Sequence, residues 1–258
     1  KPDYGYITNF GKAHLEGFGS LEGVIQGKTE LYQFLKQNNK KVFVNASDPK
    51  QMENSTGIDR ITFGTPQSDF NIQLLDSSHH LLVAFGDTKI QSNLVGAYNF
   101  VNLSAAIAIG AYFQVSSEKI KAGIESYIPS NNRSQVIAKG SNNILMDAYN
   151  ANPTSMLAAL ENFKQTAGAN KILFLGDMFE LGKDAEKEHQ NIVDFLVKNP
   201  FGSVYLIGSN FFKTSNPASH IKQFETFDEL KKTLAKENPK NATILIKGSR
   251  GMALERIL

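Results

Sequence analysis

From Asn143 to the end, the chain alternates strand and helix patterns without a break. Short apolar runs at 143–147, 171–175, 203–207 and 242–246 are separated by helical periodicities at 154–167, 184–198 and 227–237. Alternation of this kind leaves few folds open. Successive strands separated by a helix run parallel with right-handed crossovers, and the helices cover both faces of the sheet. Residues 133–258 therefore read as a Rossmann-like domain with a parallel-rich sheet. The strand runs end in polar loops, among them Gly176-Asp177-Met178, Gly208-Ser209-Asn210 and Lys247-Gly248-Ser249-Arg250. In open α/β sheets, ligands bind beyond the carboxyl ends of the strands.

The first of these loops carries the most side-chain chemistry. Asp147-Ala148-Tyr149-Asn150-Ala151-Asn152-Pro153-Thr154-Ser155 joins the apolar run Ile144-Leu145-Met146 to a helical pattern at Met156, Leu157, Leu160 and Phe163. A plain strand-to-helix turn needs one cap, here Thr154 or Ser155, and at most a proline. Asp147, Tyr149, Asn150 and Asn152 exceed that need. They mark a candidate ligand loop, against the blander reading of an over-decorated turn.

The first half is less regular. Tyr4 to Asn9 reads as a strand entering the Gly-rich loop 11–19. Ser20 starts a helix to about Gln37, and 41–45 is a short strand. Residues 60–85 alternate like antiparallel hairpins; 95–113 and 116–127 read as helices. Pro129-Ser130-Asn131-Asn132 has linker composition, which puts a domain boundary at 132. The fold class is α/β, with a mixed sheet and helices in the first domain, 1–132.

Several residues outside the main loop are chemically suggestive. Gly27-Lys28-Thr29 resembles the end of a phosphate loop, but Gly23 is one residue too close and the tripeptide falls inside a helix, so Lys28 reads as a surface lysine. His14, with Glu16 nearby and Glu30 one helix on, has the donors for a divalent cation or for ordinary loop hydrogen bonds. Asn99 and Asn102 stand at i and i+3, suited to reading an adenine edge or to helix capping. Arg133 is placed for a phosphate or an interdomain salt bridge.

Composition excludes other classes. Net charge is +2, from 27 basic and 25 acidic residues spread evenly, which leaves no footprint for nucleic acid or a membrane surface. The absence of cysteine rules out disulfides and thiolate metal sites and suits a reducing, cytoplasmic setting. No apolar run reaches the ~18 residues of a membrane span.

Five blocks in order resemble the Mur ligases: Ile7-Thr8-Asn9-Phe10-Gly11-Lys12-Ala13-His14-Leu15-Glu16-Gly17-Phe18-Gly19-Ser20-Leu21, Gly96-Ala97-Tyr98-Asn99-Phe100-Val101-Asn102, Asp147-Ala148-Tyr149-Asn150-Ala151-Asn152-Pro153, Leu175-Gly176-Asp177-Met178-Phe179-Glu180-Leu181-Gly182 and Lys247-Gly248-Ser249-Arg250. The resemblance implies ATP-dependent amide formation in peptidoglycan precursor synthesis. The Tyr149–Pro153 and Gly176–Gly182 blocks look like the member that adds D-alanyl-D-alanine to a UDP-N-acetylmuramoyl-tripeptide. ATP and Mg2+ are the implied cofactors, and a monomer the implied state. By motif position, His14 is implied as a magnesium ligand, joined by Lys28 if carbamylated, with Glu30 beside it. Asn99 and Asn102 are implied for adenine, Arg133 for phosphates and Asp147 for ribose. Tyr149, Asn150 and Asn152 are implied for the incoming dipeptide, together with Ser249 and Arg250. His14, Lys28 and Arg133 would form the catalytic group.

Two departures qualify this. Tyr98 stands where the family usually has His. The family's N-terminal domain, phosphate loop and metal-binding Glu are not among the 258 residues, and the chain opens on Lys1-Pro2-Asp3. It is therefore expected to be a C-terminal piece beginning inside the central ATPase domain, inactive alone. The alternatives are a sister Mur ligase, a folylpolyglutamate synthetase or a non-catalytic nucleotide-binding module.

Overall fold

A computed structural model of the chain describes residues 1–168, 170–237 and 239–258. These form two compact units, one of Lys1–Gly11 with Phe18–Ile128, the other of Lys12–Gly17 with Pro129–Leu258.

In chain order the first stretch runs β1 (Tyr4–Tyr6), α1 (Leu15–Phe18), α2 (Leu21–Gln37), β2 (Lys41–Asn45), α3 (Pro49–Asn54) and β3 (Asp59–Phe63). It continues with β4 (Ile72–Asp76), β5 (His80–Phe85), β6 (Thr88–Val95), a 3-10 turn at Ala97–Asn99, α4 (Phe100–Tyr112) and α5 (Ser117–Ser126). Strands β1, β2 and β3 form a parallel sheet in that order, and β4, β5 and β6 an antiparallel meander. Alternation along β2 sends its side chains to opposite faces. Val42 and Val44 pack with Tyr32 and Leu35 of α2, whereas Phe43 joins Leu103 and Ile107 of α4 and the meander residues Leu81, Val83 and Ile90.

Local signals explain the helix starts. Ser20 caps α2 by accepting from the Gly23 amide at 3.1 Å. Asp48 caps α3, with Pro49 in its first turn.

Three expectations for this half are corrected. The first strand stops at Tyr6 rather than Asn9. The run read as hairpins from residue 60 begins with β3, which pairs parallel to β2; a half-buried edge alternates in the same way whichever direction its neighbour runs. The helix expected from residue 95 begins at Phe100, because β6 extends through Val95 and Gly96, at φ 88°, breaks the chain before the 3-10 turn.

The second unit continues with β7 (Gln135–Lys139), β8 (Asn142–Asp147), α6 (Pro153–Gln165), β9 (Lys171–Gly176), α7 (Ala185–Lys198) and β10 (Ser203–Ile207). It ends with α8 (Ser209–Phe212), β11 (Ile221–Phe224), α9 (Phe227–Glu237) and β12 (Thr243–Lys247), followed by 3-10 turns at Arg250–Met252 and Leu254–Ile257. The six strands order as β11-β10-β9-β12-β8-β7. All neighbours are parallel except the edge pair β7 and β8. One face packs Ile144, Met146, Phe174, Ile244 and Ile246 against Leu230 of α9 and Leu254. The strand residues of opposite parity, Leu145, Leu173, Leu206 and Leu245, are also buried, as are Met156, Leu160, Ile192 and Leu196 of α6 and α7. The α/β class and parallel-rich sheet are as the alternation required.

The topology positions the site. β12 enters between β8 and β9, so the chain order reverses there, and its carboxyl end stands between theirs. Lys247 is in register with Asp147 on one side and Leu175 on the other. Among the described residues, no helix is long and apolar enough to cross a membrane.

Candidate functional site

Three loops leave the carboxyl ends of β8, β12 and β9 side by side in the second unit, at the switch point where open α/β sheets take ligands. After β8, Asp147 is held from two directions. Lys247 places its ammonium 2.6 Å from Asp147 Oδ2, and the Ser134 amide donates to Oδ1 at 3.1 Å. The lysine side chain is 3% exposed and the carboxylate side chain 14%. In a setting this dry, the contact between the ammonium and the carboxylate offsets part of the cost of burying each.

Beyond Asp147 the turn is organised by its own side chains. Asn150 Oδ1 accepts from the Ala151 amide at 2.9 Å. Asn152 caps α6, its Oδ1 accepting from the Ser155 amide at 2.9 Å, while its own amide donates to Ser155 Oγ at 3.1 Å. This reciprocal capping box corrects the assignment of the cap to Thr154 or Ser155: with Pro153 at the first helical position the cap is Asn152, and Ser155 is its partner. Tyr149 is exposed, and the Arg133 guanidinium lies 3.7 Å from the centroid of its ring. That stacking holds the planar cation at the mouth of the loop.

After β12, Ser249 joins the other two loops. Its hydroxyl accepts from the Phe179 amide at 2.8 Å and lies 3.4 Å from the Ala151 carbonyl, to which it donates. Its amide donates to the Asp177 carbonyl at 3.1 Å. Ser249 is 2% exposed, so it stands inside the junction. Arg250 is exposed and pairs with Glu255 at 3.0 Å.

After β9, buried Asp177 accepts from the amides of Asn210 and Phe211, each at 2.9 Å. Fully buried His189 accepts from the Met178 amide at 3.0 Å through Nε2 and donates from Nδ1 to the Ala185 carbonyl at 2.6 Å. Burial holds the imidazole below its usual pKa, outweighing the Ala185 bond and the charges of Asp177 and Glu188, and this bonding fits the neutral ring. Next in the loop, Glu180 pairs with His14 Nδ1, and its carbonyl accepts from the Glu16 amide at 2.9 Å. Both His14 and Glu180 are left-handed, at φ 56° and 63°. Lys12 pairs with Glu188 at 2.6 Å. The segment 12–17 is thus tied into the second unit.

No group of three His, Cys, Asp or Glu side chains able to hold a metal is present among the described residues. Glu30 lies exposed on α2, in the first unit.

In the first unit, Lys28 falls inside α2, as its context required, and donates to the Asn9 carbonyl at 2.8 Å. Desolvation lowers its pKa. Asn99 closes the 3-10 turn and precedes α4, but its side chain makes no cap bond. It donates to the Val95 carbonyl at 2.8 Å and accepts from Asn102 Nδ2 at 3.2 Å, so the two amides meet as their spacing required.

Lys247, Asp177, His189 and Glu180 were not singled out by sequence reasoning. The signal for Lys247 was available, since a lysine closing the apolar strand Thr243-Ile244-Leu245-Ile246 must find a counter-charge.

The family model of the Mur ligase middle domain matches residues 1–110, and that of the Mur ligase glutamate ligase domain matches residues 132–250. The UDP-N-acetylmuramoyl-tripeptide–D-alanyl-D-alanine ligase of Bacillus subtilis is 32% identical over 269 residues, covering 100% of this chain and 58% of the relative. A crystal structure of MurF from Acinetobacter baumannii superposes with a TM-score of 0.83 at 27% identity, over 99% of this chain and 58% of that one. A MurF ligase from Thermotoga maritima, solved in complex with ADP, shares the fold with a TM-score of 0.81 at 22% identity, over 99% of this chain and 60% of that one. The chain spans about 58% of the length of the curated relatives it matches. With both domain models matched in order along its length, the chain belongs to the Mur ligase family.

Proposed function

We propose that these 258 residues are part of an ATP-dependent ligase that adds D-alanyl-D-alanine to a UDP-N-acetylmuramoyl-tripeptide in the cytoplasm, acting as a monomer. The observation that carries this reading is the junction of three loops at the carboxyl ends of β8, β12 and β9, built from the blocks that resemble the family.

In the chemistry proposed, a substrate carboxylate oxygen attacks the γ-phosphorus of ATP, the bond to the β-phosphate oxygen breaks, and ADP leaves. The acyl phosphate formed is attacked by the dipeptide amine. The tetrahedral intermediate loses inorganic phosphate and a proton to leave the amide. Each half-step has a better leaving group than direct condensation would.

The roles proposed follow the geometry of each unit. In the second, Arg133 meets phosphate oxygens with its stacked guanidinium, and Asp147 meets the ribose hydroxyls. Tyr149, Asn150 and Arg250 border the dipeptide, while Asn152 and Ser249 hold the loops that border it. In the first unit, the Asn99–Asn102 pair meets the adenine. Magnesium belongs to this reading too, but the donors offered are His14 in one unit and a carbamylated Lys28 in the other. Among the described residues no group of three His, Cys, Asp or Glu is present to hold a metal, and no step is routed through the ion.

The test uses the full-length protein with ATP, UDP-N-acetylmuramoyl-tripeptide and D-alanyl-D-alanine. ADP release that requires both substrates, with a product heavier by one dipeptide less water, is expected. Tight ATP binding without ADP formation under those conditions would support a nucleotide-binding module instead.

A further inference from the structure

We infer that Lys247 is a positioning residue for the nucleotide: it grips one oxygen of Asp147 and so aims the remaining acceptor sites of that carboxylate at the ribose hydroxyls. The inference rests on the ribose role proposed above for Asp147.

A carboxylate has about four lone-pair directions on two oxygens. At Asp147 one direction on Oδ2 is taken by the Lys247 ammonium at 2.6 Å and one on Oδ1 by the Ser134 amide at 3.1 Å. Two anchors on different oxygens stop rotation of the group. The remaining directions are fixed in space, and no other hydrogen bond to them is present among the described residues. A carboxylate that has to accept from two vicinal hydroxyls gains from this arrangement, because no rotamer search is left for the bound state.

Stability alone does not explain the pair. An apolar pair of similar volume holds two parallel strands together as well as a buried ion pair does, and often better. Nor is the lysine a surface residue that happens to reach inward. It sits in register with Asp147 on β12, its side chain is 3% exposed, and Asp147 is its only ionic partner among the described residues. The same ammonium lies 3.4 Å from the Asn150 carbonyl. One charge therefore sets both the carboxylate and the turn that follows it.

The test is steady-state kinetics of the full-length protein with ATP and with 2′,3′-dideoxy-ATP, for the wild type and for Lys247→Met, Lys247→Arg, Asp147→Asn and Lys247→Met/Asp147→Asn. The wild type is expected to favour ATP by about tenfold to hundredfold in kcat/KM, the worth of hydrogen bonds to a charged acceptor. Asp147→Asn should abolish that preference. Lys247→Met should reduce it to about threefold or less, mainly through the KM for ATP, and the double variant should be no worse than Asp147→Asn. Lys247→Arg, which keeps the charge on a wider fork, should restore part of the preference, and it carries the test if Lys247→Met does not fold. A Lys247→Met protein that melts earlier yet keeps the full preference for ATP overturns the inference and leaves the lysine a structural staple. If Asp147→Asn itself keeps the preference, the ribose reading fails first and the inference falls with it.

Discussion

Gly208 passes so close to Asp177 that a Cβ built on the glycine would stand 2.3 Å from the carboxyl carbon. The glycine also holds φ 123° and ψ 160°, a conformation open to almost no other residue. Close approach and backbone strain thus coincide beside the carboxylate that ties β9 to the start of α8.

Gly208→Ala is therefore expected to cost about 2–5 kcal/mol, from strain and overpacking together. At about 2–4 °C per kcal/mol for a protein of this size, the loss is visible in a thermal melt. A variant melting within about 2 °C of the wild type would show that the loop relaxes at no cost.

Removing a junction hydroxyl should separate stability from activity. Ser249→Ala takes the acceptor from the Phe179 amide and is expected to cost about 1–2 kcal/mol. Asn152→Ala removes a helix cap and should cost a similar amount, about 1 kcal/mol. Only Ser249→Ala loosens all three loops, so at equal loss of melting temperature it should lower kcat/KM by at least about tenfold more than Asn152→Ala does.

The buried imidazole gives a signed pH dependence. His189 has its folded pKa lowered from 6.5 by desolvation, so between the two values the unfolded state binds the proton and the folded state does not. Its contribution to stability is complete above about pH 6.5 and is lost as pH falls towards the lower folded value. Urea unfolding of the full-length protein should show stability declining below about pH 6.5, with a shallower decline in His189→Gln. Identical slopes would exclude His189 as the cause.

Lys28 offers a chemical readout. Desolvation lowers its pKa, so more of its amine is neutral at a given pH, and the neutral amine is the form that adds carbon dioxide. Carbon-13 NMR of the full-length protein in labelled bicarbonate should give a carbamate resonance that Lys28→Arg removes. Its survival in that variant would assign it to another amine.

Arg133 is held by its stacking on Tyr149. Tyr149→Ala should therefore raise the KM for ATP by about threefold to tenfold by freeing the guanidinium, whereas Tyr149→Phe keeps the ring and should stay near wild type. Equal effects of the two would transfer the role from the ring to the hydroxyl.

The sequence made visible what is local. β2 and β10 were readable to the residue because a buried strand is a compact apolar run. β11 escaped notice because Ile221-Lys222-Gln223-Phe224 is short and half polar at the sheet edge, and α3 because six residues carry less than two helical turns of pattern. Strand order was hidden for a different reason. Nothing in Thr243-Ile244-Leu245-Ile246 says that it belongs between β8 and β9, since that depends on which neighbours the crossovers leave unpaired. The crowded turn from Asp147 to Asn152 stood out because its residues are contiguous. Its partners did not, because Lys247 is 100 residues from Asp147 and Ser249 is 70 from Phe179.

The late arrival of β12 has a consequence for synthesis. β8 and β9 leave the ribosome long before the strand that must lie between them, and until Thr243–Lys247 emerges they have no common neighbour. A nascent chain halted at α9 can collapse its helices onto partial sheets, but the three loops have nothing to align them. Assembly of the binding junction is thereby coupled to completion of the domain.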